Sequence, residues 1–297
     1  MPVVPAFDIS ADDIDAAFAP YVVRRYAADD PEWTAILDRL ARKEQKRFER
    51  YVRNELPVRD RARVEEQYAS IWTRTLDDEL AGRPMHFEWS RGSFLAHSAV
   101  RKRIHLLLLL RVLDAIAPRS VLEVGCGNGL NLLLLSSHFP QIAFTGLELT
   151  EAGTRAAQSL LHRGEIPVTA SRFFVGEIKD GSAPARVRLQ RGTAAQLPYG
   201  DGAFDVVYTV LALEQMESIR HEVLNELRRV SRRYVVMIEP FQELNADGLR
   251  RQFIASNQYF DARIDALHRS GLHPVFSCTD IPNKVLFHVG LVVAESS

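Results

Sequence analysis

A glycine-rich turn between an apolar strand and an apolar helix constrains this chain more than any other feature. Residues 123–129 read Glu-Val-Gly-Cys-Gly-Asn-Gly, with the strand-like run 121–124 leading into them and the apolar segment 130–135 following. Glycines at such a turn let the backbone bend sharply and approach a ligand closely, because no Cβ stands in the way. The pattern predicts a ligand-binding loop in an α/β fold.

The spacing of these glycines disfavours two classes of nucleotide-binding protein. A dinucleotide fingerprint has glycine at its first, third and sixth positions, whereas counting from Gly125 the sixth position is Leu130. A phosphate-cradling loop ends in Gly-Lys-Ser/Thr, and no such ending follows here. The loop therefore argues against an enzyme that uses nicotinamide or flavin dinucleotides, and also against an NTPase.

Beyond Pro118, short apolar strands alternate with helices, which predicts a mostly parallel sheet covered on both faces. The last two strands are joined by a short link containing Pro282 and Asn283, which predicts an antiparallel hairpin at one edge. The charged, Gly- and Pro-containing segment 164–186 is long for a connection and is expected to be an insertion. Seven strands are predicted, at 121–124, 144–149, 187–190, 204–210, 234–238, 274–280 and 287–294.

The first 94 residues show helical spacing without a convincing strand pattern, and they are expected to form a helical cap on a core of residues 95–297. Ser10 is placed to cap a first short helix. A second helix runs from Trp33 and ends before Pro57, and Asp60 caps the next one. The apolar stripes on these helices are expected to pack against the core.

Composition and charge limit the classes of function. Lys plus Arg number 37 and Asp plus Glu 38, which argues against a surface built to grip nucleic acid. Two cysteines, Cys126 and Cys278, give no disulfide framework, so a cytoplasmic protein is expected. The longest apolar run, 104–117, contains polar residues and is shorter than the roughly 18 residues of a membrane span. No secretory signal pattern is visible.

The acidic residue, single spacer and Gly-x-Gly-x-Gly of residues 123–129 resemble the first motif of class I S-adenosylmethionine-dependent methyltransferases. The resemblance covers about residues 95–297 and implies a Rossmann-like sheet with S-adenosylmethionine as cofactor. Glu123 then lies near the cofactor's amino group, and Glu148, after the second strand, matches the acid that holds the ribose hydroxyls. The implied cofactor-binding residues are Glu123, Gly125, Cys126, Gly127, Gly129, Glu148, Leu149, Thr193, Ala194 and Leu211.

The segment 192–205 is similar to the corresponding part of quinone-biosynthesis methyltransferases, with one departure. Thr193 stands where that family has the Asp that accepts from the adenine amino group. A hydroxyl is a weaker acceptor than a carboxylate, so the resemblance favours backbone contact at Ala194 over side-chain contact at Thr193.

Methyl transfer is an in-line displacement that depends mainly on positioning and requires no metal. A base is needed only where the attacking atom keeps its proton. The acceptor side is expected in the stretch 86–93, which mixes aromatic and charged residues. The catalytic candidates are Glu214, His221 and Tyr208, and the substrate candidates are Trp89, Arg91 and Glu239.

These features favour transfer to an O or N atom of a small-molecule acceptor. Two basic clusters, at 101–103 and 228–233, keep an RNA or protein methyltransferase open as an alternative, although nucleic acid is not the expected partner. A non-catalytic cofactor-binding partner protein is the other alternative. The sequence leaves the oligomeric state open, with a homodimer among the alternatives.

Overall fold

The computed structural model describes residues 5–72 and 75–297. Its α-helices are α1 (Ala11–Phe18), α2 (Pro31–Val52), α3 (Arg61–Ile71), α4 (Leu76–Ala81), α5 (Val100–Ile116), α6 (Leu130–His138), α7 (Glu151–Leu161), α8 (Val168–Phe173), α9 (Arg220–Val230) and α10 (Gly248–Asn257). Its strands are β1 (Val22–Tyr26), β2 (Pro84–Trp89), β3 (Gly92–His97), β4 (Ser120–Val124), β5 (Ala143–Glu148), β6 (Arg188–Arg191), β7 (Phe204–Val210), β8 (Ser231–Glu239), β9 (Leu272–Cys278), β10 (Asn283–Lys284) and β11 (Gly290–Ser296).

The larger sheet has seven strands in the order β6-β5-β4-β7-β8-β11-β9. The first five of these strands are parallel to their neighbours, whereas β11 runs antiparallel to both β8 and β9. The predicted fold class, including the C-terminal antiparallel pair, is therefore confirmed. Its strand order reverses at β4, which pairs with β5 on one side and with β7 on the other. In open α/β sheets, ligands bind at the carboxyl ends of the strands beside such a switch point.

The expectation of an entirely helical N-terminal region is wrong. β1, β2 and β3 form a second, antiparallel sheet in the order β1-β3-β2-β10. In β2, Phe87 and Trp89 are buried while Glu88 between them is more exposed, and both rings contact Phe18 of α1 edge-on. The alternation is short, and β10 completes the sheet from nearly 200 residues further along the chain, so a local pattern could not indicate it.

The N-terminal helices begin largely where their caps predict. Ser10 Oγ accepts from the Asp13 N–H at 3.0 Å and starts α1, and Asp60 does the same for α3. From Asp60 onward the sequence predicts one helix whose apolar positions run from Val64 through Thr75 to Leu80, but the structure divides them between α3 and α4, because Thr75 is the N-cap of α4. The two positions between them lie outside the described residues.

The apolar run 104–117 forms the buried part of α5, a helix at the centre of the main hydrophobic core. Among the residues that the structure describes, none belongs to a helix with the length and apolarity needed to cross a bilayer. The segment 164–186 contains α8, and Thr169 there donates to Asp77 of α4 at 2.7 Å. This segment therefore contacts the N-terminal region as well as the sheet.

Candidate functional site

A cavity of about 900 Å³ lies at the carboxyl ends of β4, β5 and β7. One part of its wall comes from the loops that follow these strands, and the other from α3, α4 and the first turns of α5. Ligand pockets commonly measure about 300–1,000 Å³, so this volume suits a nucleoside-sized cofactor together with a small second molecule.

The glycine loop forms the part of the wall that follows β4. Gly125, Gly127 and Gly129 have φ angles of 78°, 55° and 78°, a region that residues with a Cβ rarely adopt. A Cβ on Gly125 would lie 2.6 Å from the Ala212 Cβ, and one on Gly127 would lie 2.5 Å from the ring of Trp72. The loop thus requires glycine both for its backbone and for its packing, and α3 covers it through Trp72.

Glu123, at the end of β4, is 2% exposed and lines the cavity. Its Oε1 accepts from Asn131 Nδ2 at 2.7 Å. Its Oε2 is buried and makes no hydrogen bond of ordinary geometry to a described residue. Burial dominates and raises the pKa of this carboxyl to about 8. An unsatisfied buried acceptor of this kind suits a cationic ligand group.

Glu148 ties the glycine loop to the end of β5. Its Oε2 accepts from the Gly127 N–H at 3.1 Å, and its Oε1 accepts from the Thr150 N–H at 2.9 Å and hydroxyl at 2.6 Å. A carboxylate offers about four acceptor positions. Glu148 therefore keeps one position, on Oε2, for a ligand hydroxyl, while its other bonds fix the loop.

The remaining cofactor candidates also line the cavity: Cys126, Leu149, Thr193, Ala194 and Leu211. The Thr193 hydroxyl accepts from the Ala195 N–H at 3.3 Å, so part of its acceptor capacity is already used within its own turn. Leu211 adopts a positive φ of 53° directly after β7. The structure therefore brings nine of the ten predicted cofactor residues to one cavity, whereas Gly129 is not in its wall and packs against Ala157.

Glu214 is the one catalytic candidate in the cavity wall. It lies in a short 3-10 turn, Leu213–Gln215, and its Oε1 accepts from Gln215 Nε2 at 2.6 Å and from the Tyr68 hydroxyl at 3.5 Å. Burial raises the pKa of its carboxyl above the ordinary value, while the nearby Arg101 guanidinium lowers it. A carboxyl with a raised pKa is suited to accepting a proton near neutral pH.

Glu239 lies behind this turn and not in the cavity wall. It is fully buried, and its carboxylate accepts from the backbone N–H groups of Ala212, Leu213 and Glu214 at 3.0, 3.1 and 3.2 Å. Burial raises its pKa to about 8. This placement gives Glu239 the role of holding the Glu214 turn, and does not support the predicted contact with substrate.

The other four candidates also lie outside the cavity wall. Tyr208 is fully buried in β7 beside Glu123, because the two residues are register partners on adjacent strands. His221 is exposed on α9. Trp89 donates through Nε1 to the Asp280 carbonyl, and Arg91 stacks on the Trp89 ring and pairs with Asp12 at 2.7 Å. The stretch 86–93 is thus a strand pair in the smaller sheet.

Sequence reasoning missed the residues that line the other part of the cavity. Tyr68 and Trp72 belong to an apolar stripe that was expected to pack against the core. Arg101 and Lys102 belong to the basic cluster at 101–103. Instead Arg101 lines the cavity, and Lys102 pairs with Glu79 at 2.6 Å in its wall. A Tyr and a Trp on an otherwise apolar stripe were the available signal, since both rings carry a polar atom that needs a partner.

The comparisons with known proteins agree with this fold. Residues 122–237 match the model of the methyltransferase domain family. A malonyl-[acyl-carrier protein] O-methyltransferase from Geobacter sulfurreducens is 27% identical over 145 residues, which are 48% of this chain and 46% of that protein. A trans-aconitate 2-methyltransferase from Acidovorax ebreus is 36% identical over 77 residues, covering 26% of this chain and 29% of that protein.

Among solved structures, geranyl diphosphate C-methyltransferase from Streptomyces coelicolor, in complex with S-adenosyl-L-homocysteine, superimposes with a TM-score of 0.51. The sequence identity is 13%, and the match covers 78% of this chain and 98% of that one. This likeness concerns the fold. Residues 122–237 are therefore similar to a methyltransferase domain, and the chain shares its fold with that methyltransferase. The chain spans less than half the length of the curated relatives named above.

Proposed function

We propose that this chain transfers a methyl group from S-adenosylmethionine to an O or N atom of a small-molecule acceptor. The observation that carries the proposal is one cavity with two chemically different parts. The glycine loop and the unsatisfied Glu123 carboxyl line one part, and Glu214 lines the other. Such a cavity can hold a cationic cofactor and an acceptor side by side.

When bound, S-adenosylmethionine supplies a methyl group activated by its sulfonium. Glu123 is the group suited to the cofactor's ammonium, Glu148 offers one acceptor position to the ribose, and the backbone near Ala194 is available to adenine. In an in-line displacement of this kind, the carbon–sulfur bond would break as the bond to the acceptor forms. Glu214 accepts the proton of an acceptor that is not already ionised.

Two observations favour a small acceptor over RNA. Part of the basic cluster at 228–233 is neutralised on the surface, because Arg229 pairs with Glu226 and Asp201, and Arg232 pairs with Asp205. In the other cluster, Arg103 donates to the Phe173 carbonyl and Lys102 pairs with Glu79. Both curated relatives are named for methylating small molecules or a carrier-bound acyl group.

The proposal is tested with methyl-labelled S-adenosylmethionine and a cell extract separated into small molecules, RNA and protein. We expect label in the small-molecule fraction. We also expect Glu214→Gln to reduce the rate by about 10²- to 10⁴-fold for an acceptor that must lose a proton, with cofactor affinity retained. Label in RNA, or label bonded to protein side chains and not to a carrier-bound acyl group, would contradict the proposal, and cofactor binding without any transfer would favour the non-catalytic alternative.

A further inference from the structure

Cationic side chains from two distant segments reach the cavity beside Glu214. Arg101 comes from the first turn of α5, and Lys284 comes from β10, the short strand that joins the smaller sheet. Arg59, just before α3, lines the same region and donates to the Gln215 amide oxygen. These residues are far apart in sequence, so the fold itself concentrates positive charge here.

The negative charge available to these cations is small. Of the described acids, Glu214 is the one whose charge favours the protonated forms of both Arg101 and Lys284. Two other acids of the cavity wall are already engaged, Glu79 with Lys102 at 2.6 Å and Asp78 with the Thr75 hydroxyl at 2.6 Å. One carboxyl is therefore shared between Arg101 and Lys284, with Arg59 also close enough to influence it.

The charges of both cations are incompletely compensated in this arrangement. Arg101 Nε is buried without a hydrogen-bond partner among the residues that the structure describes. The Arg101 charge, followed by burial, lowers the pKa of Lys284 to about 7. Buried charges are normally paired, because removing them from water is costly. A bound anion would satisfy the guanidinium and favour the charged form of Lys284.

We propose that Arg101 and Lys284 bind an oxyanion of the methyl acceptor, a carboxylate or a phosphate group. A planar guanidinium can donate two parallel hydrogen bonds to such a group, and an ammonium adds a point charge. The inference rests on the proposed function and narrows its substrate class to anionic acceptors. It also gives a cavity role to Lys284, which the C-terminal region contributes.

The test is calorimetry on the complete chain loaded with S-adenosyl-L-homocysteine. Malonate and inorganic phosphate are titrated separately into the wild-type protein, Arg101→Met and Lys284→Met. We expect one of the two anions to bind the wild type and its affinity to fall at least about tenfold in each variant. The anion that binds identifies the oxyanion as carboxylate or phosphate.

Arg163→Met is the matched control, since it removes the same charge from an exposed position on the cavity rim. We expect it to change anion affinity less than about twofold. Arg101→Lys keeps the positive charge but loses the planar guanidinium, so its anion affinity should lie between that of the wild type and that of Arg101→Met. Circular dichroism checks folding, and Lys284→Met carries the test if Arg101→Met does not fold.

Three results would overturn this inference. In the first, neither anion binds the wild-type protein loaded with S-adenosyl-L-homocysteine. In the second, anion binding survives both substitutions. In the third, Arg101→Met weakens the binding of S-adenosyl-L-homocysteine instead of the binding of the anion. The last result would assign Arg101 to the cofactor's own carboxylate. Failure of the wild type to bind S-adenosyl-L-homocysteine at all would instead contradict the proposed function, so the two failures can be told apart.

Discussion

The two parts of the cavity are built in different ways. The part proposed to hold the cofactor (the cofactor part) comes from residues that follow consecutive strands, with the glycine loop after β4 and Glu148 at the end of β5. The part proposed to hold the methyl acceptor (the acceptor part) is assembled from α3, the start of α5, the turn after β7 and β10. The first part depends on local backbone geometry, and the second depends on how the N-terminal region packs on the sheet.

This difference indicates where change is tolerated. A glycine at positive φ cannot be exchanged without strain, whereas side chains projecting from packed helices can be replaced one at a time. We therefore expect substitutions in the cofactor part to abolish or uniformly weaken binding. Substitutions in the acceptor part should change which molecule is accepted.

The largest expected effect is that of Gly127→Asp. The new side chain must adopt a φ of 55° and displace the Trp72 ring, so cofactor affinity should fall at least about 100-fold. Calorimetry with S-adenosyl-L-homocysteine measures the loss. Gly200→Asp is the control, because a Cβ there meets nothing within 4 Å. Unchanged affinity in Gly127→Asp would remove the glycine loop from the cofactor site.

Glu148→Ala should have the next largest effect. It removes the acceptor of the Gly127 N–H as well as the position left for a ribose hydroxyl, so cofactor affinity should weaken by about 1 to 3 kcal/mol. Glu151→Ala, which removes an exposed carboxylate paired with Arg155, is the matched control. An effect equal to that of the control would indicate that another residue binds the ribose.

Cofactor affinity should also depend on pH through Glu123. Because burial raises its pKa to about 8, this carboxyl is mostly protonated at pH 6 and must lose its proton to bind a cation well. Affinity should therefore rise by up to about tenfold per pH unit up to pH 8 and then level off. The neighbouring charged groups are Lys102 and Glu148.

Titrations of S-adenosyl-L-homocysteine at several pH values measure this dependence. Glu123→Gln cannot ionise and should flatten the profile while weakening binding. A wild-type profile as flat as that of Glu123→Gln would show that another group receives the ammonium.

The smallest effect is expected for Arg91→Ala. This side chain contacts Trp89 of the smaller sheet and pairs with Asp12 and Asp15 of α1, outside the cavity wall. The KM for the acceptor should therefore change less than about twofold, as for most surface substitutions. A large rise in KM would instead support the substrate role expected from the sequence and would extend the acceptor part toward β2.

The same contrast explains what could be predicted from the sequence. The glycine loop, Glu123 and Glu148 lie at strand ends, where local pattern determines both the element and the position of the side chain. All seven strands of the larger sheet could be found from the sequence, most of them as apolar runs with turn signals beside them, although β6 contains a single apolar residue, Leu189. The antiparallel strand pair at its edge was also predicted, although the connection between β9 and β11 contains β10 and is longer than the predicted link.

The acceptor part could not be predicted, because its residues meet only after the chain has folded. Arg101 belongs to a basic run that is typical of a solvated helix, and its position facing the cavity depends on the rotation of α5. Glu239 has the sequence context of a site residue, yet its carboxylate is turned toward the Ala212 and Leu213 N–H groups. Periodicity indicates which face is apolar, but not what a polar residue on that face contacts.

The shared strand β10 has a mechanical consequence for the entry and exit of ligands. It is hydrogen-bonded to β2 in the smaller sheet and covalently continuous with the two outer strands of the larger one. The smaller sheet is thereby anchored to the sheet beneath it, and cannot swing away as a free flap without breaking this pairing. Trp72, at the end of α3, covers the glycine loop from outside this pairing, whereas Lys284 lies within it.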